Sequence, residues 1–217
     1  MQLTLVRHGQ CEDGADGDLT PLGRQQARQT ARHLADTGVT HLLCSPLLRA
    51  LTTAQALVEV ADIPTIEVWL DLREGFSYAH RALGRDDIQR RYPRAVLPPA
   101  IGPDGWDDGG DTYASFVARC QTLLTTIQGR FAPHDHVVVV THGGVTTYLL
   151  QAILGIPPAG PCWFDTAYCA LTKVRLVPEG ERWDWPLYPP MAAEILCVND
   201  TSHLRTLSPG PATSSIG

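Results

Sequence analysis

The chain is short of lysine, of paired cysteines and of long apolar runs, and each shortage removes a class of function. Only Lys173 among its 17 basic residues is a lysine, and the formal net charge is -6. An acidic chain of this kind lacks the basic footprint of a nucleic-acid binder and gives no electrostatic reason to sit on a membrane. No apolar run is long enough to span a bilayer, and the first residues lack the basic-then-apolar order of a secretory signal. The expectation is a soluble, cytoplasmic protein. The six cysteines, Cys11, Cys44, Cys120, Cys162, Cys169 and Cys197, include no Cys-x-x-Cys pair and no zinc-like spacing, so most read as small core residues. Cys11 stands apart because it lies close in sequence to the candidate site described next. No internal repeat is found beyond a paired strand-His-Gly device.

What is present begins with that device. Leu3-Thr4-Leu5-Val6 reads as a short buried strand that stops at Arg7-His8-Gly9-Gln10. In open α/β sheets ligands bind beyond the carboxyl ends of the strands. The pattern returns at His136-Val137-Val138-Val139-Val140, four valines typical of a central parallel strand, followed by Thr141-His142-Gly143-Gly144. Between the two, the chain alternates strands and helices. A helix is expected from Pro21 to Asp36, capped by Thr20 and ended by Gly38. A strand follows at His41-Leu42-Leu43-Cys44, then Ser45-Pro46 as N-cap and first turn of a helix reaching Val60, then a strand at Ile66-Glu67-Val68-Trp69. Further helices are expected at about Tyr113 to Arg130, capped by Asp111 or Thr112, and at Val145 to Leu154. Late strands are expected at about Ala167 to Val174 and Ala193 to Val198.

This order predicts a three-layer α/β/α fold with a mostly parallel central sheet and a cap-like insertion after the third strand. A single domain over 1–217 is expected, with the insertion at about 73–112 and a flexible tail at 208–217. The insertion carries Phe76, Tyr78, Tyr92 and Trp106, and an arginine run, Arg81, Arg85, Arg90, Arg91 and Arg94, that reads first as a solvated face and second as a phosphate binder. The Trp- and Pro-rich loop from Trp183 to Pro190 reads as a packed loop or a dimer contact, leaving monomer and homodimer both open.

Neighbouring parallel strands bring His8 and His142 to one edge of the sheet, and the helix after Ser45-Pro46 points Arg49 at the same edge. Arg7, Arg49 and His142 then surround a tetrahedral anion beside His8, with amides after Gly143 as further donors. Each residue alone has a plain structural reading, whereas the joint pattern is that of a phosphoryl site.

With these residues in place the sequence resembles the histidine phosphatase superfamily, the phosphoglycerate-mutase-like enzymes. The matching stretches are Leu5 to Gln10, Leu19-Thr20-Pro21-Leu22-Gly23-Arg24-Gln25-Gln26-Ala27, Ser45-Pro46-Leu47-Leu48-Arg49-Ala50 with Thr53-Ala54, Leu72-Arg73-Glu74, and Val140 to Gly144. Gly109-Gly110-Asp111-Thr112 and Asn199 to Leu204 are weaker echoes. The resemblance implies that His8 is a nucleophile that becomes phosphohistidine. It implies that Arg7, Arg49, His142 and Gly143 hold the phosphoryl oxygens, and that Glu74 protonates the leaving oxygen and then activates water. Arg7 and Arg49 are expected to keep His8 neutral by repulsion. It implies a hydrolase needing neither metal nor cofactor, acting on a small phosphomonoester. Gln10, Cys11, Phe76 and Tyr78 are candidates for the substrate pocket, while His80 and Arg119 read as surface residues.

Two segments depart from the family's pattern. Gly75-Phe76-Ser77-Tyr78-Ala79-His80 stands where many members carry a Gly-x-Trp-Glu-Gly-like run, and Glu12-Asp13-Gly14-Ala15-Asp16 replaces a loop that often holds an asparagine. The leading expectation is a phosphatase. A phosphoglycerate-type mutase and a phospholigand-binding module with little turnover are the alternatives.

Overall fold

The computed structural model describes residues 1–76, 82–106, 110–157, 162–178 and 191–207. Tyr78, His80, Arg81, the Trp183 to Pro190 loop and the tail from Ser208 lie outside the described residues. Among the described residues seven strands form one sheet: β1 (Gln2–Arg7), β2 (His41–Cys44), β3 (Ile66–Val68), β4 (Ala95–Val96), β5 (His136–Thr141), β6 (Leu171–Leu176) and β7 (Ala193–Asp200). Their order is β4-β3-β2-β5-β1-β6-β7, parallel from β4 to β1, with β6 and β7 added antiparallel. Five α-helices among the described residues connect and cover them: α1 (Pro21–Leu34), α2 (Leu48–Val60), α3 (Arg85–Arg91), α4 (Tyr113–Arg130) and α5 (Gly143–Leu154).

The period-two alternation of the strands builds the three layers. On β5, Val138 and Val140 join one apolar cluster and Val137 and Val139 the other, so all four valines are fully buried. The first cluster takes Ala27, Ala31 and Leu34 from α1 and Leu51 and Leu57 from α2. The second takes Leu123 and Ile127 from α4 and Leu149 and Leu150 from α5. Because β5 lies between β1 and β2, the two histidine-bearing strands are neighbours, with Arg7 in register with Thr141.

Several boundaries differ from those expected, each for a local reason. Helix α1 ends at Leu34 rather than Asp36, and Gly38, with φ of 71°, lies beyond it. Ser45 is not the N-cap of α2. That position falls to Leu47, and the first helical amide, Leu48 N, is satisfied by Asp16 Oδ1 at 2.6 Å. This leaves the Ser45 hydroxyl for the site. Strand β6 starts at Leu171 because Ala167 to Ala170 closes a turn (Ala170 N to Ala167 O, 3.1 Å) with Cys169 at φ of 56°. Within the stretch after β3, β4 adds an edge strand to the main sheet, too short for alternation to reveal. Arg85 donates to the carbonyls of Ile101 and Pro98, and Arg94 to those of Val58 and Ile63, so these two members of the arginine run tie loops together.

Candidate active site

The site is assembled where β1 and β5 end side by side. His8 follows β1 and donates its backbone N–H to Thr141 O at 2.9 Å. Its imidazole is 4% exposed, and Nδ1 lies 2.8 Å from the Gly9 carbonyl. A carbonyl only accepts, so Nδ1 carries the proton and Nε2 the lone pair. The Arg49 Nε–H points at that Nε2 from 3.3 Å. Gly9 is required here by crowding rather than by backbone angle, since a Cβ on it would stand 2.6 Å from Gly23 O, where the loop after β1 crosses α1.

His142 follows β5 and is fully buried, with its ring centroid 5.0 Å from that of His8. Its Nε2 is 2.8 Å from Ser45 Oγ, while Nδ1 has no hydrogen-bond partner among the described residues. Both imidazoles are held well below the ordinary histidine range. Burial is the main cause for each, with Arg49 next. Desolvation therefore outweighs the arginine repulsion expected to keep His8 neutral.

Arg49 is itself buried, and Nη1 donates to Ala15 O at 2.8 Å, so the acidic loop after β1 sets its direction. Arg7 donates Nη1–H to Thr166 O at 2.5 Å and places its guanidinium 4.4 Å from the Tyr168 ring centroid. Glu74 lies beneath the first turn of α5. It accepts from Gly75 N at 3.0 Å and from Gly144 N at 3.1 Å. Burial pushes its carboxyl above the usual glutamate range, partly offset by these two amides and by Arg49 and Arg7. Gly143 opens α5 beside Arg7, whose Cζ would lie 3.9 Å from a Cβ placed there. His8, Arg7, Arg49, His142, Glu74 and Gly143 are thus gathered at one end of the sheet.

The expected pocket residues are placed less uniformly. Gln10 is half-buried and turned toward α1, its Oε1 accepting from Thr20 Oγ1 at 2.8 Å. Cys11 is half-buried within reach of the Arg49 and Arg7 charges, but burial pushes its thiol up, so it is held as the poorly reactive thiol. Phe76 packs against the first apolar cluster.

Sequence reasoning missed three contributors. Tyr168 reaches His8, at 5.6 Å between rings, through the left-handed turn at Cys169, which no spacing announces. Ser45 was legible only as a cap. Arg119, expected on the surface, is buried: it pairs with Asp111, donates to the carbonyls of Asp71 and Arg73, and lies 4.7 Å over Phe116. It thereby pins the Glu74 segment to the start of α4. Among the described residues no group of three or more His, Cys, Asp or Glu is placed to hold a metal ion.

A buried neutral imidazole with an unprotonated Nε2 facing a guanidinium, two arginines, a second imidazole and a carboxyl of raised pKa suit in-line transfer of a phosphoryl group. Comparison with known proteins agrees. The model of the histidine phosphatase superfamily (branch 1) matches residues 3–186. The glucosyl-3-phosphoglycerate phosphatase of Mycolicibacterium vanbaalenii is 31% identical over 170 residues, covering 72% of this chain and 75% of that protein. A probable phosphoglycerate mutase of Proteus mirabilis is 24% identical over 184 residues, covering 80% and 84%. Among solved structures, the mycobacterial glucosyl-3-phosphoglycerate phosphatase complexed with VO3 superposes with a TM-score of 0.56 at 27% identity, covering 80% of this chain and 92% of that one. The α-ribazole phosphatase of Shigella flexneri shares the fold with a TM-score of 0.65 at 19% identity, covering 92% and 96%.

Proposed function

We propose, from the premise that this chain belongs to the histidine phosphatase superfamily, that it hydrolyses phosphomonoesters through a phosphohistidine formed on His8. The observation that carries this reading is the state of His8, whose Nδ1–H is tied to Gly9 O, whose unprotonated Nε2 faces the Arg49 guanidinium at 3.3 Å, and which stands 5.0 Å from His142. A small phosphorylated metabolite is the substrate class, as in the phosphatases to which the chain is similar.

In the first step Nε2 attacks phosphorus, the N–P bond forms and the P–O ester bond breaks in line. Arg49 exchanges its contact with His8 for a phosphoryl oxygen, and Arg7, His142 and the amide of Gly143 stabilise the charge on the remaining oxygens. Glu74 gives its proton to the leaving oxygen. It then removes a proton from water, whose oxygen bonds to phosphorus as the N–P bond breaks, which restores both groups. The two guanidinium groups supply positive charge that such chemistry elsewhere takes from a metal, and the neutral His142 ring adds a hydrogen-bond donor.

Brief mixing with a radiolabelled phosphomonoester should leave an acid-labile, alkali-stable label on the parent protein and none on His8→Ala. Equal labelling or equal turnover by the variant would remove His8 from the mechanism. Isomerisation of phosphoglycerate faster than phosphate release would instead make the protein a mutase.

A further inference from the structure

Beyond Glu74, away from the arginines, the site is walled by aromatic rings. Phe116 of α4 lies against the first turn of α5: a Cβ on Gly144 would meet Glu74 Oε1 at 2.5 Å and two Phe116 ring carbons at 3.1 Å. Ring and carboxyl therefore crowd the same backbone atom. Tyr148, one helical turn along α5, stands 5.1 Å from Phe116, 6.1 Å from Tyr113 and 6.3 Å from Trp163, at interplanar angles of 79°, 75° and 88°. Tyr113 and Trp163 are 56% and 54% exposed, the most open aromatic rings among the described residues.

The same peptide joins this cluster to the phosphoryl cup. Phe164 O accepts from Thr147 on α5, Thr166 O holds Arg7, and Tyr168 lies against His8. The segment that presents Trp163 thus runs on to the proposed nucleophile. None of the four rings, Tyr113, Phe116, Tyr148 and Trp163, carries a positive charge of its own. Arg119, packed on Phe116, is committed to Asp111 and two carbonyls. An anionic leaving group would find no counter-charge in these groups, whereas a neutral ring would find π-systems at the spacing that aromatic contacts favour. An exposed aromatic cluster beside a polar site is also the usual mark of a ligand surface.

We propose that Tyr113, Phe116, Tyr148 and Trp163 form a shelf for the leaving group, and that the preferred substrate carries an uncharged flat ring a short spacer away from its ester oxygen. This rests on the phosphatase reading, in which Glu74 marks the leaving-group side. Of the two aromatic residues that the sequence offered for the pocket, Phe76 packs against the other apolar cluster and Tyr78 lies outside the described residues.

The test uses alkyl esters, so that leaving-group basicity stays nearly constant: 2-phenylethyl, 2-cyclohexylethyl and butyl phosphate, with the parent, Trp163→Ala and Tyr113→Ala. The parent should favour the phenylethyl ester over both others in kcat/KM by roughly tenfold, and Trp163→Ala should reduce that preference by roughly 3- to 10-fold, through KM rather than kcat. A parent that uses butyl phosphate equally well, equal use of the cyclohexyl ester, or a preference unchanged in both variants would overturn the shelf. Release of phosphate from none of these esters, nor from p-nitrophenyl phosphate, would instead overturn the phosphatase reading on which it rests.

Discussion

The Ser45 hydroxyl decides which nitrogen of His142 carries a proton. Its oxygen accepts from Leu47 N at 3.3 Å, and for its own buried hydrogen the acceptor present among the described residues is His142 Nε2 at 2.8 Å. The proton of the neutral ring must then sit on Nδ1, the atom with no partner among the described residues and so the donor free for a phosphoryl oxygen. Ser45→Ala should lower kcat by roughly tenfold, the usual range for a mispositioned transition-state donor, while Ser45→Thr restores most of it; steady-state kinetics checks both. Glu74 makes a second prediction at this scale. Because burial raises its carboxyl pKa, the proton-donating form survives closer to neutrality, and turnover of an alkyl phosphate should fall as pH rises through that value. His8 stays neutral well below pH 6.5, so the acid limb lies lower and the optimum falls on the acidic side. In Glu74→Gln the pH–rate profile should lose its alkaline limb along with most of its amplitude.

Helix α5 shows how an element can serve folding and chemistry with opposite demands. Alanine suits a helix better than glycine by about 1 kcal/mol, yet Gly144 occupies the second position of α5 because its amide must reach Glu74 Oε2 and a Cβ would press on Oε1. Gly144→Ala should therefore change the thermal midpoint little, the helix gain offsetting the crowding against Phe116, while kcat falls by roughly tenfold or more as the Glu74 carboxyl is displaced. Unchanged kcat would show that Glu74 need not sit where it does. The elements that position the site were also the legible ones. The valine run of β5, the Thr20-Pro21 start of α1 and the Thr112 cap of α4, which forms a capping box with Ser115, each follow from side-chain chemistry acting within a few residues. What was illegible depends on distant partners. Asp16 supplies the N-terminal hydrogen bond of α2 from 32 residues away, Arg119 reaches back to residues 71 and 73, and the Cys169 turn is held by the carbonyls of Arg7 and His8. Periodicity carries no record of such contacts.

At the scale of the molecule, burying two imidazoles at the junction of both apolar layers couples the site to folding. In the unfolded chain each takes up a proton near pH 6.5, whereas in the folded protein both stay neutral well below it. The unfolded state then binds more protons, so this contribution to stability is fully present above about pH 6.5 and is lost as pH falls toward the folded-state values. Each imidazole adds a slope of up to about 1.4 kcal/mol per pH unit in that window. His203, pulled down to about 4 chiefly by burial, acts in the same sense. Glu74 acts oppositely, its contribution being present below about pH 4.5 and lost as pH rises through its raised value. The histidines therefore dominate on acidification. Urea midpoints measured between about pH 7.5 and 5.5 should fall steeply for the parent, and the slope for His8→Asn should be shallower by close to one proton, because that variant has one imidazole fewer to charge on unfolding. Identical slopes would mean that His8 takes up its proton in the folded protein as readily as in the unfolded chain. The neutral nucleophile would then be a minor species under acidic conditions, and the acidic optimum argued from Glu74 would disappear with it.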